Sequence, residues 1–165
     1  MTSLDHPSIR KLVATLQEAG LTGSADGIRI LGDDVRTAAL AAQALGIEVG
    51  AIANSLVFRA VRDGRDEPLL VLTSGSHRAD TDRLAVVTGA DQVRMADPAF
   101  VREHTGHAIG GVAPTGHPHP LTTLVDRQLA QYEVVWAAGG HPKAIFPTIF
   151  ADLVTLTGGR PCEVE

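Results

Sequence analysis

The stretch TGHAIGGVAPTGHPHP, residues 105–120, packs four glycines, three prolines and three histidines into sixteen positions. Such a run is poor material for helix or sheet, and a shaped loop is expected. Three kinds of chemistry could use it. His104, His107, His117 and His119 are spaced by three, ten and two, and imidazole nitrogens with a water would suit a hydrolytic zinc. No HExxH pattern accompanies them. Ser74 and Ser76 in LTSGSH raise a Ser-His-Asp hydrolase, but no G-x-S-x-G elbow occurs. A GxxxxGK[ST] phosphate loop is also absent. The third reading uses bare backbone. Gly110-Gly111 lets the chain approach a ligand closely and aim N–H groups at a carbonyl oxygen, while Pro114 stiffens the turn. A purely structural turn would use the same residues.

Elements able to position this loop are legible on either side of it. In DHPSIRKLVATLQEAG, Ile9, Leu12, Val13 and Leu16 recur at helical spacing, with Asp5 or Ser3 near the start and Gly20 as a stop. IRIL reads as a short strand and TAALAAQALG as an alanine-rich helix closed by Gly46. EVGAIANSLVFRA and PLLVLTS read as strands, and Asp63-Gly64 between them signals a hairpin. DTDRLAVVTG is a helix with an acidic start. DPAFVREHTG is another, with Asp97 as N-cap and Pro98 at the first helical position. LTTLVD, EVVWAAG and KAIFP are further strands, TIFADLVTLTG a last helix, and CEVE a short terminal strand. Hairpins outnumber strand–helix–strand alternation, so the expected class is α+β, with a mixed, curled, barrel-like sheet and surrounding helices.

The 165 residues suit a single domain, residues 1–165, with no repeat or linker. No apolar run approaches the roughly 20 residues of a membrane span, and the N-terminus lacks the order of a secretory signal. A soluble, cytoplasmic protein without membrane partners is expected. Cys162 is the single cysteine, which excludes an intrachain disulfide and fits a reducing compartment. Net charge is −5, with two lysines, Lys11 and Lys143, against twelve arginines. That balance argues against DNA or an extended duplex footprint. A basic spot around Arg59, Arg62, Arg65 and Arg78 could still serve a short nucleic-acid end. Phe58 and Trp136 read as core rather than as base-stacking platforms.

Three segments in order, NSLVFRAVRDGRDEPLLVLTSGSHRADTDRLA, VRMADPAFVREHTGHAIGGVAPTGH and LVDRQLAQYEVVWAAGGHP, resemble the YbaK/ProX family. Its members are free-standing relatives of the editing domain of bacterial prolyl-tRNA synthetases. The resemblance covers residues 25–165 and is most specific from Thr105 to His117. It implies an aminoacyl-tRNA deacylase that uses neither metal nor organic cofactor. The implied partners are the acceptor end of a mischarged tRNA and a synthetase. The family's glycine–three residues–proline motif falls on Gly110 to Pro114, whose backbone is expected to hold the ester.

By the same resemblance Gly110, Gly111, Pro114 and Asn54 carry the reaction, with Ser55, Val112 and Ala113 beside the substrate; His117 is expected near the site because it closes the loop. Ala138 and Gly139 are expected on the opposite wall, and Asp126, which ends LTTLVD, could orient a partner near the loop or serve only structure. The family's lysine before Ser-Leu-Val-Phe is replaced by Asn54, which offers neutral hydrogen bonds in place of a charge. Gly106-His107 and Ala113-Pro114 stand where relatives carry Gly-Tyr and Pro-Pro. Ala138 and Ile145 occupy the serine and aspartate positions of cysteinyl-specific members. Asn54 keeps a second reading open, a non-catalytic module that binds tRNA ends or another aminoacylated ligand.

Overall fold

The computed structural model describes residues 4–35 and 37–165. Helix α1 (Pro7–Glu18) buries Ile9, Leu12 and Leu16, the stripe that the spacing predicts. Its N-cap is His6, whose ring accepts from Ser8 N–H, in place of the expected Asp5; Ser3 lies outside the described residues. A five-residue helix α2 (Thr22–Asp26), too short to show periodicity, precedes β1 (Arg29–Ile30) and α3 (Ala38–Leu45). The first long strand, β2, spans Ile52–Arg62, because Val49–Ala51 forms a 3-10 turn ahead of it. Asp63 and Gly64 both have positive φ, 49° and 76°, as a tight two-residue hairpin requires. They join β2 to β3 (Arg65–Ser74).

Helix α4 (Thr81–Thr88) follows, with Asp80 as cap, and then β4 (Gln92–Met95). Helix α5 (Pro98–Thr105) starts as expected, Asp97 Oδ1 accepting from Phe100 N–H. The glycine loop leads to β5 (Thr122–Asp126) and a 3-10 turn. Beyond that come β6 (Val135–Ala138), β7 (Ala144–Thr148), α6 (Phe150–Thr157) and β8 (Arg160–Cys162). The last strand thus begins before the CEVE segment rather than within it.

One mixed sheet contains all eight strands in the order β1-β7-β6-β2-β3-β5-β8, with β4 also on β2. No pairing joins β1 to β8 among the described residues. Both faces are covered. On one, Ala53, Val57, Leu70 and Leu72 pack with α1 and α6; on the other, Phe58, Ala60, Leu69 and Val71 pack with Leu84 and Val164. That double burial explains the unbroken apolar run of PLLVLTS. Cys162 lies in the second cluster as a buried free thiol. Among the described residues no helix is long and apolar enough to cross a membrane.

The β2 strand has three neighbours. The antiparallel β3 takes the whole of one edge, Ala53 to Arg62. The other edge is divided: β6 pairs in parallel with Ile52 and Ala53, and β4 pairs antiparallel with Phe58 to Val61. Asn54 to Val57 therefore have no strand on that edge among the described residues. Nearby, the Arg59 guanidinium bridges Asp66 and Asp97 at 2.8 and 2.7 Å and stacks on the Phe100 ring at 4.3 Å. Arg62 pairs with Glu67. Two members of the expected basic spot, Arg59 and Arg62, are thus paired with acidic neighbours.

Candidate functional site

The gap in the β2 edge opens into a cleft of about 680 Å³. Asn54 and Ser55 enter it from β2, Ile109 and Gly110 from the glycine loop, Trp136 and Ala138 from β6. Side chains alternate along a strand, so Asn54 shares a face with Leu56 and Phe58 while Ser55 shares one with Ala53 and Val57. Asn54 also borders a second cleft of about 390 Å³, beside Thr73, His77 and Met95. The Ser55 hydroxyl is buried without a hydrogen-bond partner, an unmet donor and acceptor beside the cleft. Trp136, expected in the core, is half-buried and forms part of the cleft wall.

Ala138 pairs with Ile145 across β6 and β7, and both line the cleft. The wall there is apolar. Gly139 is buried behind it, where a Cβ would come within 2.9 Å of the Ala144 Cβ.

The glycine loop is built around its own backbone. Gly110 is exposed at the cleft with φ +87°, and nothing lies within 4 Å of where its Cβ would stand. Gly111 faces inward, where a Cβ would stand 2.5 Å from Pro142 N and 2.6 Å from His141 C. The loop therefore lies directly on the turn between β6 and β7, and only glycine allows that approach. Val112 and Ala113 are 1% and 0% exposed, and Pro114 is buried with them.

Two of the loop's N–H groups are already engaged: Gly111 donates to Ala108 O, and Ala113 to His107 Nδ1. Those of Ile109 and Gly110, which both line the cleft, make no hydrogen bond among the described residues and are its backbone donors; Val112 N–H makes none either, but Val112 is 1% exposed and does not line the cleft.

The histidines hold the loop. His107 Nδ1 accepts from Ala113 N–H at 3.2 Å, so its proton resides on Nε2. His117 Nε2–H donates to Ala113 O at 2.7 Å. The backbone of one residue is thus held at both its N–H and its C=O. His104 and His119 instead meet each other, at 3.3 Å. Burial pushes His107 down to about 4, helped by His117, Lys11 and Arg102; burial lowers His117 as well, against the bond that it donates.

Asp126 lines neither cleft. It is 1% exposed and accepts from Ser74 N–H, Gln128 N–H and His77 Nδ1. The other nitrogen of His77 faces Glu165 at 3.6 Å, and Ser74 Oγ is bonded to Gly50 O. No serine stands on the free side of that imidazole, so the triad geometry is not formed.

Lys143 and Asp33 are the charged cleft residues that the sequence reading passed over. Lys143 lines the same cleft as Asn54 and is ion-paired with Asp33.

With this geometry in hand, comparison with known proteins is decisive. Residues 33–156 match the family model of the aminoacyl-tRNA editing domain. The chain belongs to that family. It is 35% identical over 100 residues to the uncharacterized protein YwhH of Bacillus subtilis, covering 61% of each chain. It is 30% identical over 142 residues to the proline–tRNA ligase of Thermosipho melanesiensis, covering 79% of this chain and 24% of that one. The chain thus spans less than two thirds of the length of these curated relatives. A crystal structure of a candidate trans-editing enzyme for prolyl-tRNA synthetase superposes with a TM-score of 0.84 at 38% identity. That match covers 100% of this chain and 99% of the other.

Two expectations follow for this editing domain. An alanine Cβ at position 111 meets backbone that cannot swing aside, so Gly111→Ala should cost about 2–3 kcal/mol. Gly110→Ala has open space and only backbone strain, about 1 kcal/mol. Thr115→Ala, outside the motif, should be nearly silent. Urea denaturation of the three variants checks the order, and equal losses at 110 and 111 would contradict it.

The second expectation concerns pH. As pH falls from 6.5 to about 4, the unfolded chain gains a proton at His107 that the native state refuses. Stability therefore falls across that window, by at most roughly 3 kcal/mol, and the contribution is complete only above it. Tm should drop between pH 7 and 5 in the wild type and drop less in His107→Gln. Parallel curves would contradict the assignment.

Proposed function

We propose that this editing domain is a free-standing aminoacyl-tRNA deacylase, acting in the cytoplasm on the ester of a mischarged tRNA. The observation that carries this reading is the gap in the β2 edge. A motif glycine with free N–H and an orphaned Ser55 hydroxyl border one cleft there. An aminoacyl ester is already activated, so such a site needs to supply only orientation, a water and donors for the developing oxyanion. The donors in this reading are the N–H groups of Ile109 and Gly110, which line the cleft, with Val112 packed beneath the motif and Ser55 hydrogen-bonding the bound aminoacyl end. Pro114, Ala113 and His117 act indirectly by fixing the loop, and Asp126 by bracing the base of β5. The apolar Ala138–Ile145 wall would select the amino acid by size, where one methylene is worth about 1–3 kcal/mol.

Asn54 supports one rival, a module that binds aminoacylated tRNA ends, or associates with a synthetase, without hydrolysis. A panel of mischarged tRNAs separates the two. Deacylation of at least one, undiminished by chelator, is expected from the enzyme; binding with no hydrolysis across the panel would establish the module. Net charge −5 further implies that contacts concentrate at the acceptor end. An acceptor-stem minihelix should therefore be processed within about threefold of full tRNA, and a drop beyond a hundredfold would mean a second contact surface.

A further inference from the structure

A tRNA end brings phosphodiesters into the cleft, and position 54 offers them no cation. We infer that Lys143 is the cation of this site, reaching from the turn before β7 to the phosphodiester of the terminal nucleotide; the substrate in this inference rests on the deacylase reading. Among the described residues that line the cleft, Asp33 and Lys143 alone carry charge, and Lys143 is the one basic side chain among them.

Its backbone is held firmly. Lys143 O accepts from Leu31 N–H at 2.7 Å, and its own N–H donates to His141 Nδ1 at 3.1 Å. The flanking turn is closed by Gly139 N–H to Ala144 O and Ala144 N–H to His141 O. This is the same turn against which Gly111 packs, so the root of the lysine is registered to the glycine loop. Beyond that root, four methylenes leave the ammonium free to swing.

Its partner in the free protein, Asp33, has a side chain 85% exposed. An exposed pair of this kind is held weakly, and a phosphodiester can take the ammonium from it. The chain thus places its positive charge on a different wall from the one where the family's lysine resides.

The test uses the full chain as wild type, Lys143→Met, Lys143→Arg, Asp33→Asn and the double variant Lys143→Met/Asn54→Lys. Each is assayed for deacylation of mischarged tRNA and titrated with an uncharged acceptor minihelix at several salt concentrations. Lys143→Met should raise KM and the minihelix Kd about tenfold, leave kcat within about twofold, and reduce the salt slope by about one counterion. Lys143→Arg should stay near the wild type, and Asp33→Asn should bind at least as tightly. The double variant should recover most of the loss, because a cation returns to the same cleft.

Unchanged binding in Lys143→Met overturns the inference. So does an equal loss in Asp33→Asn, which would mean that the ion pair matters only for structure. A double variant as weak as Lys143→Met shows that the two positions do not serve one anion, and overturns it too. A wild type that binds the minihelix yet hydrolyses nothing refutes the deacylase reading alone, and Lys143 is then judged on Kd. A wild type that does not bind the minihelix refutes both.

Discussion

A β-strand has two edges, and in β2 three strands compete for them. Because β3 occupies one edge from end to end, the parallel β6 and the antiparallel β4 must divide the other. Neither can extend into the other's share, since one runs with β2 and the other against it. The interval at Asn54 to Val57 is the consequence. Unpaired strand edge is costly to bury and hazardous to expose, and here it forms one side of a cleft. The loop after α5 and the turn before β7 complete the walls, and each is positioned by its contact with the other at Gly111 and Pro142.

The loop itself illustrates how a histidine-rich segment can be structural without being inert. The contact that His107 makes to Ala113 N–H requires a neutral imidazole of defined tautomer, and burial secures that neutrality; the contact of His117 requires only a proton on Nε2. An alanine carries no side-chain information here; what is recognised is its backbone N–H and C=O. This arrangement ties the shape of the glycine motif to two residues outside it.

Much of the fold was legible because local chemistry agreed with the tertiary structure. Asp63-Gly64 demanded a hairpin and Asp97-Pro98 a helix start, and both are present. The β4 strand escaped because Gln92, Arg94 and Met95 are exposed and Val93 alone is buried, too short an alternation to register. The capping position falls to His6 rather than Asp5, because an imidazole Nδ1 can also accept from the Ser8 N–H. At the site, the glycine–proline motif stood out by composition. The histidine spacing could not distinguish a metal from a peptide group, since both ask for a nitrogen lone pair or its proton. Lys143 was invisible because its proximity to Asn54 arises only when β6 and β7 fold back beside β2.

The Arg59 knot also has a bearing on length. Asp97 spends one oxygen capping α5 and the other on Arg59, which fastens the start of that helix to β2. Its far end delivers Thr105 and His107, whose partners are fixed as well. With both ends anchored, α5 behaves as a gauge block. One residue more or fewer would advance the loop by only about 1.5 Å but rotate it by roughly 100° about the helix axis, turning His107 away from Ala113. An insertion or deletion within 97–107 would therefore break one anchorage or the other, whereas a substitution on the exposed side of the helix leaves both in place.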